Sequence, residues 1–224
     1  MWQTILSKGG LWELFIRGGP VMWPILICSV VALAVVMDRV YHLHKAKIDT
    51  DRFLETISAS LRRNRVVEAI DLCDQTPGPI AHILKAGIMK HDRTREEVRD
   101  AIEEAGVQEV SRLERYLAVL ATVSQIAPLL GLLGTVTGMV TAFQIIQEKA
   151  TAMSQVNPGD LAGGIWEALL TTVFGLCVAI PTLIAYNWLT HWVNYFVLDM
   201  ERSSAELVNV LGQRREADAV EIPD

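Results

Sequence analysis

Hydrophobic positions along this 224-residue chain fall into three long runs, separated by segments in which apolar and charged residues alternate with helical spacing. Gly18 to Met37, Tyr116 to Gln147 and Ala168 to Leu198 contain no Asp, Glu, Lys or Arg. At about 1.5 Å per residue, roughly 20 helical residues cross a bilayer core of about 30 Å. Each run is long enough to do so, and the pattern predicts an all-α membrane protein with three transmembrane helices. Ala32-Leu33-Ala34 has the look of a signal-peptide cleavage site, but the apolar run continues to Met37 and stops at Asp38-Arg39, as a retained span does.

The polar stretches refine this layout. Residues 1–17 mix Trp2, Ile5, Leu6, Leu11, Trp12, Leu14 and Phe15 with Lys8, Glu13 and Arg17. This is too short and too charged to span, and predicts an amphipathic segment at the outer face, interrupted at Gly9-Gly10. Pro20 and Pro24 are expected in the first turns of the first span, where a missing amide hydrogen costs little. Residues 38–115 hold 14 basic and 15 acidic side chains. Phe53, Leu54, Ile57 and Leu61 form one apolar helical face, and Val66, Val67, Ile70 and Leu72 suggest a second short helix. Thr76-Pro77-Gly78-Pro79 is a breaker, followed by a helix over Ile80 to Lys90. Thr94 with Glu97 three residues on is a capping box. From there apolar residues recur without a breaker until Pro128, so the second transmembrane helix is expected to start outside the membrane and enter it unbroken. Asn157-Pro158-Gly159-Asp160 is a turn with Asp160 as N-cap of a helix from Leu161.

The resulting map is an outer-face segment at 1–17, spans at 18–37, 116–147 and 161–198, and a cytoplasmic helical region at 38–115. A short periplasmic loop occupies 148–160, a cytoplasmic helical extension 199–215, and an acidic tail 216–224 that is expected to be disordered. Lys and Arg concentrate near the membrane ends of 38–115 and in the C-terminal stretch, which places those parts in the cytoplasm and the N-terminus outside.

Net charge −6, with no cluster of bases free of acids, excludes a phosphate-reading surface, so no nucleic-acid partner is expected. Cys28, Cys73 and Cys177 have no metal-ligand spacing, and His42-x-His44 reads as a polar pair at the membrane edge, so no metal is expected. No nucleophile–base pair or phosphate loop points to an enzyme.

The second span carries Ser124, Ala127, Gly131, Gly134, Thr135, Gly138 and Ala142 at spacings of three and four. The third carries Ala168, Thr171, Thr172, Gly175, Ala179, Thr182 and Ala185. Lipid gives helices no hydrophobic reason to associate, so small residues that let backbones approach mark where they meet. Gly131, Gly134, Gly138, Gly175 and Ala179 are the candidate packing positions, and Pro128 and Pro181 the candidate kinks, each releasing the carbonyl four residues earlier. Thr135 and Thr172 fit two readings: hydroxyls lining a polar lumen in a ring of subunits, or hydroxyls bonded to their own helix. Counted inward from the outer end of each charge-free stretch, Thr135 lies about 18 Å deep and Thr172 about 8 Å. Glu167 borders the third charge-free run and is either a functional membrane acid or an interfacial one near the positive end of its helix dipole. No acid, Lys or Arg lies deep in any span. A proton carrier, if the chain takes part in proton flow, must come from a second protein.

Ala127-Pro-Leu-Leu-Gly-Leu-Leu-Gly-Thr-Val-Thr-Gly-Met-Val-Thr-Ala-Phe143 and Gly164-Ile-Trp-Glu-Ala-Leu-Leu-Thr-Thr-Val-Phe-Gly-Leu-Cys-Val-Ala-Ile-Pro-Thr-Leu-Ile-Ala-Tyr-Asn187 resemble the paired signatures of the MotA/TolQ/ExbB proton-channel family. Three spans suit its ExbB/TolQ branch. The resemblance implies a homopentamer in the bacterial inner membrane, enclosing two copies of an ExbD/TolR-like single-span partner whose Asp is alternately protonated and released. It implies no cofactor, H⁺ as the transported ion, and work delivered through a TonB- or TolA-like protein to outer-membrane transport or maintenance. The family's pore-facing threonines fall on Thr135 and Thr172 and its third-span glutamate on Glu167; Thr137 stands where many members have Trp. Two other readings of the residues stay open: a scaffold that recruits a cytoplasmic partner without conducting ions, and a self-sufficient channel.

Overall fold

The computed structural model describes residues 10–151, 155 and 158–220. Its elements are helices: α1 (Gly10–Arg17), α2 (Met22–Ala46), α3 (Thr50–Arg62), α4 (Val66–Gln75), α5 (Pro79–Ile88), α6 (Arg95–Glu114), α7 (Leu117–Thr151) and α8 (Pro158–Val220). Among the described residues, three stretches are long and apolar enough to cross a membrane, carried by α2, α7 and α8. The chain divides into two compact units, Met1–Met37 with Tyr116–Asn187, and Asp38–Arg115 with Trp188–Asp224.

The first unit is built on the α7–α8 hairpin. Ser124, Ala127, Gly131, Gly134, Gly138 and Ala142 are buried on α7, and Gly164, Ala168, Thr171, Gly175, Ala179 and Thr182 on α8. Large apolar side chains point the other way: Leu129, Leu132, Phe143, Leu169, Ile180 and Ile184 are exposed. The start of α2 joins the hairpin through Val21, Met22 and Ile25, which pack with Phe15, Leu130, Phe174 and Val178. Pro20 precedes α2 rather than entering it, because Gly19 adopts a left-handed φ of 73° and the helix begins only at Met22. The expected interruption at Gly9 and everything before it lie outside the described residues.

The second unit has an ordinary aliphatic core. Leu43, Ile57, Leu61, Ile80, Ile83, Leu84, Ile88 and Leu207 are among its fully buried side chains. Asp49 caps α3 by accepting the Arg52 amide, and Gly78, at a left-handed φ of 124°, lets α5 begin against Ala46, whose carbonyl oxygen would lie 2.9 Å from any Cβ there. The Thr94–Glu97 capping box opens α6: Glu97 N donates to Thr94 Oγ1 at 3.2 Å and Thr94 N to Glu97 Oε2 at 3.0 Å. Arg39 is buried and donates to the Arg112 carbonyl at 3.2 Å and to Asp38 at 2.6 Å. Arg112 in turn donates to the nearly buried Glu109 at 2.8 Å, which also meets His82 Nδ1 at 3.2 Å. In α4 the inward face is Ala69 and Cys73, while Val67 is 73% exposed, so the apolar pair at 66–67 does not mark the core.

Three sequence expectations are corrected. The helix leading into the second span is not continuous: α6 stops at Glu114, Tyr116 takes a left-handed φ of 67°, and its carbonyl accepts the Val119 amide as α7 starts. The third long helix starts at Pro158, with the proline in its first turn, so Asp160 lies within the helix and not ahead of it. Its far end reaches Val220, beyond the expected tail boundary at 216. Arg, Glu and Ala favour helix there, and no breaker occurs before Pro223. Residues 221–224 lie outside the described set.

Candidate functional site: the hydroxyl-bearing α7–α8 seam

Glycine sets how closely the two helices approach. A Cβ on Gly138 would lie 2.7 Å from the Gly164 carbonyl oxygen and 3.1 Å from Ala168 Cβ. One on Gly175 would lie 2.7 Å from the Ala127 carbonyl oxygen, and one on Gly134 would overlap the Thr171 hydroxyl. Gly131 faces the backbone of Thr171 and Thr172, with Thr172 Cα at 3.1 Å from a built Cβ. Backbone thus packs on backbone along about three turns of helix. Ala179 is buried further along α8, and Pro128 and Pro181 lie within α7 and α8 without ending them.

The hydroxyls along this seam differ in where their protons go. Thr171 is fully buried and fills the notch left by Gly134; its Oγ1 donates to Ala168 O at 2.8 Å, with the Gly131 carbonyl across the seam at 3.4 Å. Thr172, half-buried, shares its proton between Gly131 O at 3.3 Å and Ala168 O at 3.4 Å. Thr135, also half-buried, donates within its own helix to Leu132 O at 2.6 Å. A hydroxyl has one proton and two acceptor lone pairs. Thr135 and Thr172 have therefore committed their donors to backbone carbonyls, and what they offer to a neighbour is acceptor capacity.

The register revises the expected depths. Thr172 lies opposite Gly131, four residues further from the connecting loop than Thr135, or about 6 Å along the axis. Thr172 is the deeper of the two. The reversal arises because the charge-free runs end at different levels of the hairpin: Gly138 packs on Gly164 and Ala168, which brackets Glu167. Glu167 is half-buried and lies nine residues past Pro158, in the third turn of α8, beyond the reach of that helix's own N-terminal dipole. Its carboxylate instead rests on Gly19, in the turn before α2.

Two seam residues were not singled out from the sequence. Thr171 was one of a stripe, although its spacing from Ala168 and Gly175 places it on the seam face. Gly164 carried a comparable signal, four residues before Ala168 and beside a second glycine.

These features define a multi-pass α-helical membrane protein with a tightly seamed hairpin, acceptor hydroxyls along the seam and one half-buried acid toward its loop end. Residues 75–202 match the model of the MotA/TolQ/ExbB proton channel family, and the chain belongs to that family, in its ExbB/TolQ branch. A putative biopolymer transport protein ExbB homolog from Methanothermobacter thermautotrophicus is 30% identical over 81% of this chain and 63% of its own length. The putative biopolymer transport protein ExbB-like 3 of Synechocystis sp. is 32% identical over 76% of this chain and 80% of its own. The structure of C. jejuni MotAB shares the fold at a TM-score of 0.66, with 15% identity, covering 94% of this chain and 84% of that one.

Proposed function

We propose that the chain is the ring-forming subunit of an ion-driven motor in the bacterial inner membrane. Five copies surround two copies of an ExbD/TolR-like single-span partner, the N-terminus is periplasmic, and the Asp38–Arg115 region and C-terminus are cytoplasmic. Proton flow moves the partner, which works on a TonB- or TolA-like protein for outer-membrane transport or maintenance. No cofactor takes part, and the chain is no enzyme. The observation that carries this reading is a membrane hairpin that offers polar acceptors but no deep titratable carrier: Thr135 and Thr172 bond carbonyls, and no charged residue lies in 116–147 or 168–198.

The chemistry follows from the committed protons. A protonated carboxyl on the partner donates a hydrogen bond and finds an acceptor at each threonine; the ionised carboxylate can only accept and finds no donor. Burying that unpaired charge costs at least several kcal/mol, so the lining selects the neutral acid for passage. Glu167, toward the loop end of the hairpin, takes part where protons enter.

Thr172→Val keeps the shape of the side chain and removes the acceptor. Expected is loss of proton-driven activity with the complex still recovered, five copies with two of the partner by native mass spectrometry, and a milder defect for Thr172→Ser. Unchanged activity in the valine variant overturns the pore role and leaves a scaffold as the better account.

A further inference from the structure

Gly19 sits between α1 and α2 with its backbone in the left-handed region, φ 73°. A side chain at that position would occupy the space that Glu167 fills: a built Cβ overlaps Glu167 Oε1 and lies 2.7 Å from its Cδ and 3.3 Å from its Cγ. The turn does not float over the acid. Val21, Met22 and Ile25, just after it, are buried against Leu130 of α7 and Phe174 and Val178 of α8, and Phe15 of α1 joins the same cluster and stacks edge-on against Trp23 at 5.4 Å. Phe174 and Val178 lie two and three turns from Glu167 on the same helix, so the helix that carries the acid also carries the residues against which the segment after the turn packs.

We propose that Gly19 is the positioning residue for Glu167: the Gly18–Val21 turn is a seat whose missing side chain is what allows the carboxylate its place. The turn before α2 then acts on proton entry through the acid. This inference rests on the role given to Glu167 above. Glycine is required here on two separable grounds, the left-handed backbone and the space. Asn tolerates the first but violates the second as fully as Ala does.

The test is a double-mutant cycle read by proton flux into vesicles containing the full complex. Glu167→Gln is expected to lower flux about tenfold, and Gly19→Asn to lower it by about the same factor, since displacing a group in an ion path by an ångström or so is enough. Gly19→Asn combined with Glu167→Gln should be no worse than either alone, the signature of two residues acting at one point. A normal flux in Gly19→Asn beside an impaired Glu167→Gln, or multiplying defects in the double variant, overturns the positioning role. A normal flux in Glu167→Gln overturns instead the entry role of the acid. If Gly19→Asn does not assemble, Glu167→Ala, which removes the obstructing atoms, is expected to restore assembly in the double variant. Failure to restore it overturns the seat.

Discussion

The two units of the chain are packed by opposite rules. In the second, Leu43, Ile57, Leu61, Ile80, Ile83 and Leu84 are inside, and charged side chains such as Arg99 and Glu103 pair on the surface at 2.7 Å. In the first, the face where α7 meets α8 is mainly glycine, alanine and threonine, and Leu129, Leu132, Phe143, Leu169, Ile180 and Ile184 are exposed. The difference is one of solvent. Water expels large apolar side chains and rewards filling the core with them. A bilayer is as apolar as leucine, so burial gains nothing by transfer, and what remains is the close contact that small residues permit.

Removing bulk should therefore be costly in the second unit and cheap on the outer face of the first, where adding bulk to the seam is what costs. The largest effect is expected for Leu84→Ala in the second unit, about 4 kcal/mol lost from the cavity it leaves. Leu132→Ala, at a position 60% exposed on α7, should cost under about 0.5 kcal/mol, because no packed neighbour is lost. Denaturant unfolding in detergent measures both, and an equal cost at the two positions would break the comparison. Next is Gly138→Ala, a gain of one methyl against the Gly164 carbonyl, expected to cost about 2 kcal/mol because backbone cannot step aside as a side chain can. A neutral or stabilising alanine there would mean that the seam has slack.

The last effect concerns Cys73 and appears only at alkaline pH. Burial in the second unit, reinforced by the neighbouring Asp74 carboxylate and opposed by Lys85, pushes its thiol up to about 11. The unfolded chain, with an ordinary thiol, releases its proton first as pH rises, so the contribution of this group is fully present below about pH 9 and is lost through about pH 11. Cys73→Ser should flatten that alkaline limb of the stability profile, measured by unfolding between pH 8 and 11. The same burial makes the thiol slow toward maleimide at neutral pH.

How much of this was legible depended on whether the deciding contact is local. The spans follow from three charge-free runs, and the α6 start from Thr94 and Glu97, because a capping box closes within four residues. The small-residue spacing marked the faces of α7 and α8 that meet, since close approach leaves a direct trace in side-chain size. Register left none. The runs end at Gln147 and Ala168, but helix meets helix at Gly138 and Gly164, so depths counted from the run ends come out inverted. The break at Tyr116 has no local signal either, since an aromatic at positive φ is unfavourable on its own and nothing in the pattern marks it. Nor does any pattern in 10–22 announce that Glu167, far along the chain, rests on Gly19.

The glycine seam has a consequence for how the hairpin responds to force. Gly131, Gly134, Gly138, Gly164 and Gly175 have no χ angle, and neither have Ala127 and Ala168. A seam of such residues loses no rotamer freedom when it forms and has no alternative rotamers to adopt under load. An ordinary core can absorb a push by repacking side chains, whereas here most of the contact is backbone or a single methyl group, and the Thr171 side chain is held in its notch by hydrogen bonding to Ala168 O. A displacement applied to one helix must either carry the other with it or separate the pair, which makes this hairpin a stiff mechanical part.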